Sequence, residues 1–338
     1  MKKLFRYKKH TAMKIKIEEL KKLCLSILAK RGLLEKEALE IFNEYLDAEL
    51  RGRECHGFQF FPNFGAKLVD STARKPKIIR EEDNLLFIDG QKNLGQIVCN
   101  KYVPGLIKKA KNKGIAMMGI YNMHSYLMPG TYARMAAENN LVGFVFNYGG
   151  RPRIAPTGSI DPILGTNPIA IGIPNDGLPI VVDMATAKIA MGKVRLTEKL
   201  GRSLPENVTI DKNGRPTTDP IEAMAGAILP FGDHRGSALA LVIEILTKTM
   251  FNVDIHNKTK ANRGFFFIFF DPSIFQPIEE FKNNVSKLVK EIKNSRKAEG
   301  VIEIFYPGEK SEKIKRENLK KDYLDLEEKI IENIKNLL

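Results

Sequence analysis

The sequence predicts an α/β fold built on a mixed sheet, and three observations carry that prediction. Strand-like and helix-like runs alternate between Val103 and Asn147. Two short apolar runs, Ile169 to Pro174 and Leu178 to Asp183, flank Asn175-Asp176-Gly177 and read as a hairpin of buried strands. Phe265 to Phe270 is β-rich and too short for a helix. Alternation of this kind places helices against a sheet, and the hairpin makes that sheet mixed.

Taken in order, the chain opens on a basic stretch, and regular patterning starts at Met13. Leu20, Leu23, Cys24, Ile27 and Leu28, then Ala38, Ile41, Phe42, Tyr45 and Leu46, have helical spacing and predict two helices broken at Arg31 to Leu34. Ala66 to Asp70 reads as the end of another helix and Asn84 to Gly90 as a strand and turn. Val103 to Lys113 is an amphipathic helix closed by Gly114. Ile115 to Tyr121 is a strand, Thr131 to Asn139 a helix and Val142 to Asn147 a strand.

In the hairpin, Gly177 is free to take positive φ because it has no Cβ. Asp183 to Lys188 then puts small and hydroxyl residues where a strand is expected to give way to a helix. The unpaired N–H groups of a first helical turn, with the Thr186 hydroxyl beside them, suit a phosphate or carboxylate. Asp and Thr at such a junction also serve as plain caps, so both readings stand. Gly201 to Asp219 is a polar loop turning at Lys212-Asn213-Gly214. Pro220 to Ala227, Ser237 to Phe251 and Ile278 to Ser295 read as helices, Val301 to Tyr306 as a last strand and Tyr323 to Leu338 as a tail helix.

At 338 residues, with 43% hydrophobic and 28% charged residues, the chain can bury a full core in one or two domains. Its apolar runs fall far short of the roughly 20 residues that span a bilayer. The basic start has no apolar segment of signal-peptide length, and a cytoplasmic protein is expected. Cys24, Cys55 and Cys99 form no close pair, which fits a reducing compartment. The net charge of +14 comes from lysines spread over helical faces without interleaved aromatics, the pattern of a solvated surface more than of a nucleic-acid site.

Chemistry points to histidine. His10 lies in the basic start and His256 in a polar loop, whereas His56, His124 and His234 each sit at a loop or element end. An imidazole there can give a proton to a carbonyl oxygen and take one back, although an exposed loop histidine is as ordinary a reading for each one alone. H-E-x-x-H, C-x-x-C, G-x-S-x-G, a Walker loop and G-x-G-x-x-G after a strand are all missing, so no metal site is expected and no Rossmann fingerprint is available.

Several blocks together resemble the malate/L-lactate dehydrogenase family of the non-Rossmann type, whose members include ureidoglycolate and sulfolactate dehydrogenases and ketimine reductases. The blocks are AELRGRECHG (48–57), the region of His124, LGTNPIAIGIP (164–174), VVDMATAKIAMGKV (181–194), GRPTTDP (214–220), ILPFGDHRGSALALVIEIL (228–246), NRGFFFIFFDP (262–272) and YPGE (306–309). The resemblance implies a mixed-sheet non-Rossmann dehydrogenase fold. It implies an extension over 1–14, a helical, substrate-binding domain over 15–120 plus 272–338, and an inserted cofactor-binding domain over 121–271. It also implies a homodimer that moves hydride between NAD or NADP and a small 2-oxo or 2-hydroxy acid.

Carried over by position, the resemblance makes His56 the proton donor, with Cys55 where the family has serine. Thr166 becomes a substrate contact, and His124, Met184, Ala185, Thr186, His234, Arg235, Gly308 and Glu309 become cofactor positions. Phe60 stands at a substrate-binding position where the family usually has an arginine that forks onto the substrate carboxylate, a loss that is not mild. Asp233 replaces a glycine, and Thr186-Ala187 replaces Thr-Ser. Three consequences stay open: a different substrate, another cation (Arg53, Arg151 or Arg153) in that role, or a catalytically impaired family member acting as a binding protein.

Overall fold

The structure, a computed structural model, describes residues 12–53, 56–69, 75–253 and 263–338. The basic start with His10, Cys55 and the loop carrying His256 lie outside them. In chain order the elements are β1 (Ala12–Lys16), α1 (Ile17–Ala29), α2 (Glu35–Leu50), β2 (Lys77–Glu82), β3 (Leu85–Asp89), α3 (Gly95–Lys113) and β4 (Ile115–Tyr121). Next come α4 (Pro129–Glu138), β5 (Val142–Asn147), β6 (Ile169–Ile173), β7 (Ile180–Met184), α5 (Met191–Lys199), β8 (Thr209–Ile210) and α6 (Pro220–Ala225). The chain ends with β9 (Ala227–Ile228), α7 (His234–Glu244), β10 (Gly264–Phe270), α8 (Ile278–Asn294), α9 (Glu309–Asn318), β11 (Tyr323–Glu327) and α10 (Glu328–Lys335).

Two compact units divide the chain, one of residues 1–73 with 311–338, the other of residues 74–310. In the first, α1 and α2 bury Leu20, Cys24, Ile27, Ile41, Phe42 and Tyr45. The antiparallel pair β1–β11 joins the two ends of the unit, with Met13 opposite Leu326. Asp47, Arg51, Glu312 and Lys315 form a chain of ion pairs: Arg51 Nε–Asp47 2.7 Å, Arg51 Nη1–Glu312 2.7 Å and Lys315 Nζ–Asp47 2.6 Å. Burial pushes the Asp47 carboxyl up, but Arg51 and Lys315 outweigh it and hold the group below the usual carboxylate range.

The larger unit is built on a seven-stranded sheet in the order β2-β3-β4-β10-β5-β6-β7. Only β3 and β4 run parallel; the other pairs are antiparallel, so the sheet is mixed as the sequence predicts. β10 is central because alternate phenylalanines, Phe265, Phe267 and Phe269, are wholly buried with Tyr126, Tyr132 and Val145. A strand packed this way gains most by sitting where both neighbours complete its ladder. Gly114 ends α3 at φ +80, as read from the sequence.

Four expectations are corrected. Gly177 does not take positive φ, because residues 174–179 form a longer connection with no tight left-handed turn. Val301 to Tyr306 is irregular despite its β-branched residues, since among the described residues no strand pairs with it. Tyr323–Glu327 is a strand before the tail turns helical, paired to Ala12–Lys16 at the other end of the sequence. Thr186 does not open a helix: α5 begins only at Met191, and residues 185–190 form a bent, irregular connection held by the Ala187–Pro230 bridge.

Candidate active site

In the smaller unit the loop after α2 is fixed by aromatic packing. Phe58 and Phe61 are fully buried, with ring centroids 5.6 Å from Phe42 and 5.4 Å from Tyr45 respectively. The Phe58 N–H donates to the Glu49 carboxylate at 3.0 Å and the His56 N–H to the Arg53 carbonyl at 2.7 Å. This holds the His56 ring partly buried. Burial, and after it the charge of Arg53, pushes the imidazole down to about 4, so His56 is neutral at neutral pH. Phe60 is partly buried with its ring 5.6 Å from Phe64, and it brings no charge. Arg53, one of the cations considered in its place, acts electrostatically on His56.

In the larger unit the remaining segments gather along β7 and just past its end. Thr186 donates both its N–H and its hydroxyl to the Thr166 carbonyl, each at 3.0 Å, and is fully buried. That corrects the expectation of a free donor: the hydroxyl joins two loops, and the residue able to meet a ligand is Met184, 41% exposed. The Phe231 N–H donates to the Thr186 carbonyl at 3.0 Å, and Ala187 bridges Pro230. Residues 184–187 and the entry to α7 are therefore neighbours. His234 and Arg235 stand exposed in the first turn of α7, where backbone N–H groups lack helical partners. Asp233, at φ 54, pairs with Lys188 at 2.8 Å.

On the other flank of β7 the Val181 N–H donates to the Pro307 carbonyl at 3.0 Å, which lays Gly308 (φ +92) along the strand. Glu309 is already engaged, by Lys293 and by the Tyr306 N–H. His124 lies in the loop between β4 and α4, with its N–H on the Asn93 carbonyl at 2.9 Å. That loop runs into α4, whose Gly130 N–H donates to Asp183 at 3.1 Å, one residue before Met184.

The Thr166 loop is braced from behind. Buried Glu244 accepts from the Gly165 N–H at 3.0 Å and from the Asn167 amide at 2.9 Å, and it pairs with Lys248 at 2.7 Å. Asn167 also donates to the Ala240 carbonyl at 2.8 Å and accepts from the Gly149 N–H at 2.9 Å. Arg153 is held below the usual arginine range by burial and then by the like charges of Arg195 and Arg151. Among the described residues no cluster of His, Cys, Asp or Glu could hold a metal ion, and no helix is long and apolar enough to cross a membrane.

The sequence matches the malate/L-lactate dehydrogenase family over residues 15–335. The chain belongs to that family. As a member it is an oxidoreductase that transfers hydride between a nicotinamide cofactor and small hydroxy or oxo acids. It is 37% identical to the malate/(S)-sulfolactate dehydrogenase of Methanothermus fervidus, over 96% of this chain and 97% of that one. It is 30% identical to a Delta(1)-pyrroline-2-carboxylate reductase of Ancylobacter novellus, over 78% of this chain and 81% of that one. In three dimensions it is similar to the sulfolactate dehydrogenase of Methanocaldococcus jannaschii, with a TM-score of 0.87, 36% identity and 96% of each chain covered.

Some residues of this dehydrogenase that shape the site were not singled out by sequence. Glu244 and Asn167 brace the Thr166 loop, and Asp183 ties α4 to β7. An acidic residue in the otherwise apolar Ala238 to Ile245 stretch was a usable signal for Glu244, because a carboxylate buried there needs donors.

Proposed function

We propose that this family member reduces a small 2-oxo acid of the oxaloacetate or sulfopyruvate type to its 2-hydroxy acid, and runs the reverse oxidation, with NAD or NADP. His56 gives the proton to the carbonyl oxygen, and Thr166 contacts the substrate. The bound dinucleotide supplies the hydride to the carbonyl carbon. We take the working form to be a cytoplasmic homodimer.

What supports the reading is the convergence of the 166, 184–187 and 230–235 segments just past the end of β7, with 307–308 lying along the same strand at Val181. The residues there fit a dinucleotide. Met184 is an exposed apolar surface for a flat ring, and the first turn of α7 with Arg235 offers N–H groups and positive charge to a phosphate. The loop that carries His124 leads into α4, whose Gly130 N–H donates to Asp183 beside the same strand end. His56 enters neutral, so it must take up a proton with the anionic substrate before giving it away. An incoming carboxylate favours that protonation. General-acid help of this kind is worth roughly 100- to 10,000-fold.

The test is a fluorescence titration with NADH and NADPH, followed by turnover of pyruvate, oxaloacetate, 2-oxoglutarate and sulfopyruvate. Binding with turnover of one of these acids is expected. Binding without any turnover would leave the chain as the catalytically impaired binding protein.

A further inference from the structure

Arg263, the residue before β10, is a partly buried guanidinium. Burial pulls its pKa below the usual arginine range, and the Tyr148 phenol is what favours its charge. Among the described residues no carboxylate pairs with it. Glu244, which like Arg263 acts on Tyr148, is committed to Lys248 at 2.7 Å, and that ammonium lies 5.0 Å from the centre of the Tyr148 ring. A desolvated guanidinium without a counter-charge is unfavourable, and an anionic ligand relieves it.

The backbone is shaped to admit this side chain. A Cβ on Gly150, which stands at φ +84, would lie 2.9 Å from Arg263 Nη2 and 3.0 Å from Cζ. A Cβ on the adjacent Gly149 would lie 2.8 Å from the Thr166 hydroxyl. The strip is pinned at both ends of this contact, by Tyr148 N–H on the Gly264 carbonyl at 3.0 Å and Gly149 N–H on Asn167 at 2.9 Å. Arg263 packs against Gly150 and Thr166 against Gly149, so two consecutive glycines make room for a charged fork and a hydroxyl.

We propose that Arg263, with the Thr166 hydroxyl, binds the carboxylate adjacent to the reacting carbonyl of the substrate. This rests on the 2-oxo acid reading above and names the group that recognises the acid. A planar guanidinium accepts a carboxylate through two parallel N–H donors, which fixes orientation as well as charge.

The test compares Arg263→Gln and Arg263→Lys with the unaltered chain, with pyruvate, oxaloacetate and sulfopyruvate as substrates and NADH affinity followed by fluorescence. Arg263→Gln is expected to raise KM about 10- to 150-fold for every acid the unaltered chain reduces, with NADH affinity unchanged. Arg263→Lys keeps the charge and loses the fork, so its KM should fall between the two, and it carries the test if the glutamine variant does not fold. An unchanged KM overturns the proposal, as does a loss of NADH affinity in place of substrate affinity. A rise confined to the two acids with a second anionic group overturns it too. If the unaltered chain reduces none of the acids, the functional reading fails, and titration with oxalate by calorimetry still decides on Arg263. Binding to the unaltered chain and not to Arg263→Gln supports the anion site; equal binding or none overturns it.

Discussion

Thr186 gives both its backbone N–H and its hydroxyl to the carbonyl of Thr166, each at 3.0 Å. One buried side chain therefore fixes the distance between the loop proposed to meet substrate and the loop proposed to meet cofactor. Thr186→Val removes the hydroxyl bond and leaves the shape, and should cost about 1 to 2 kcal/mol of stability. Thr186→Ser should cost less. Urea denaturation checks both. A valine variant of unchanged stability but weakened NADH binding would place the hydroxyl on the cofactor instead.

Arg51 should be the most sensitive charge of the smaller unit, because it is 5% exposed and serves both Asp47 and Glu312. Arg51→Ala leaves Asp47 with Lys315 and Glu312 with the more exposed Arg316, 3.7 Å away. The loss expected is about 3 to 5 kcal/mol. A change below about 1 kcal/mol in chemical denaturation would mean that Lys315 and Arg316 balance the pair without it.

Two groups give the stability a defined pH dependence. Asp47 titrates below its unfolded value, so its contribution is present above that value and lost as pH falls through the folded one. His56 also titrates below its unfolded value, at about 4 against 6.5. Between those limits the unfolded chain binds the extra proton, so stability falls as pH drops from about 6.5 towards 4. In His56→Gln that part of the slope should vanish; an identical slope would show that the ring does not titrate there.

Arg53 should set where His56 works. Its positive charge opposes protonation of the ring, so Arg53→Gln should move the pH limb of kcat/KM upward. A profile that stays in place would remove Arg53 from the electrostatics of the site. A collapse of kcat/KM at every pH would make it a substrate contact.

Much of the fold was legible because burial leaves a period in the sequence. The spacing from Leu20 to Leu46 gave two helices with the break at Arg31, and the short β-rich run Phe265 to Phe270 marked a buried strand. What could not be read depends on partners distant in sequence. Lys77–Glu82 is exposed along its whole length and is a strand only because β3 pairs with it, and Ala12–Lys16 is one only because β11 does. Residues 185–190 stay out of a helix and are held by the Ala187–Pro230 bridge, a contact that no local propensity announces. The same holds for the site: the histidines stand at element ends as read, whereas Glu244 and Arg263 acquire meaning only from the loops packed on them.

The most direct measurement is turnover and NADH affinity of His56→Ala side by side. If His56 hands the proton to the substrate oxygen, reduction of the preferred 2-oxo acid should fall by roughly 100- to 10,000-fold while the NADH dissociation constant barely moves. Turnover equal to that of the unaltered chain would contradict the account.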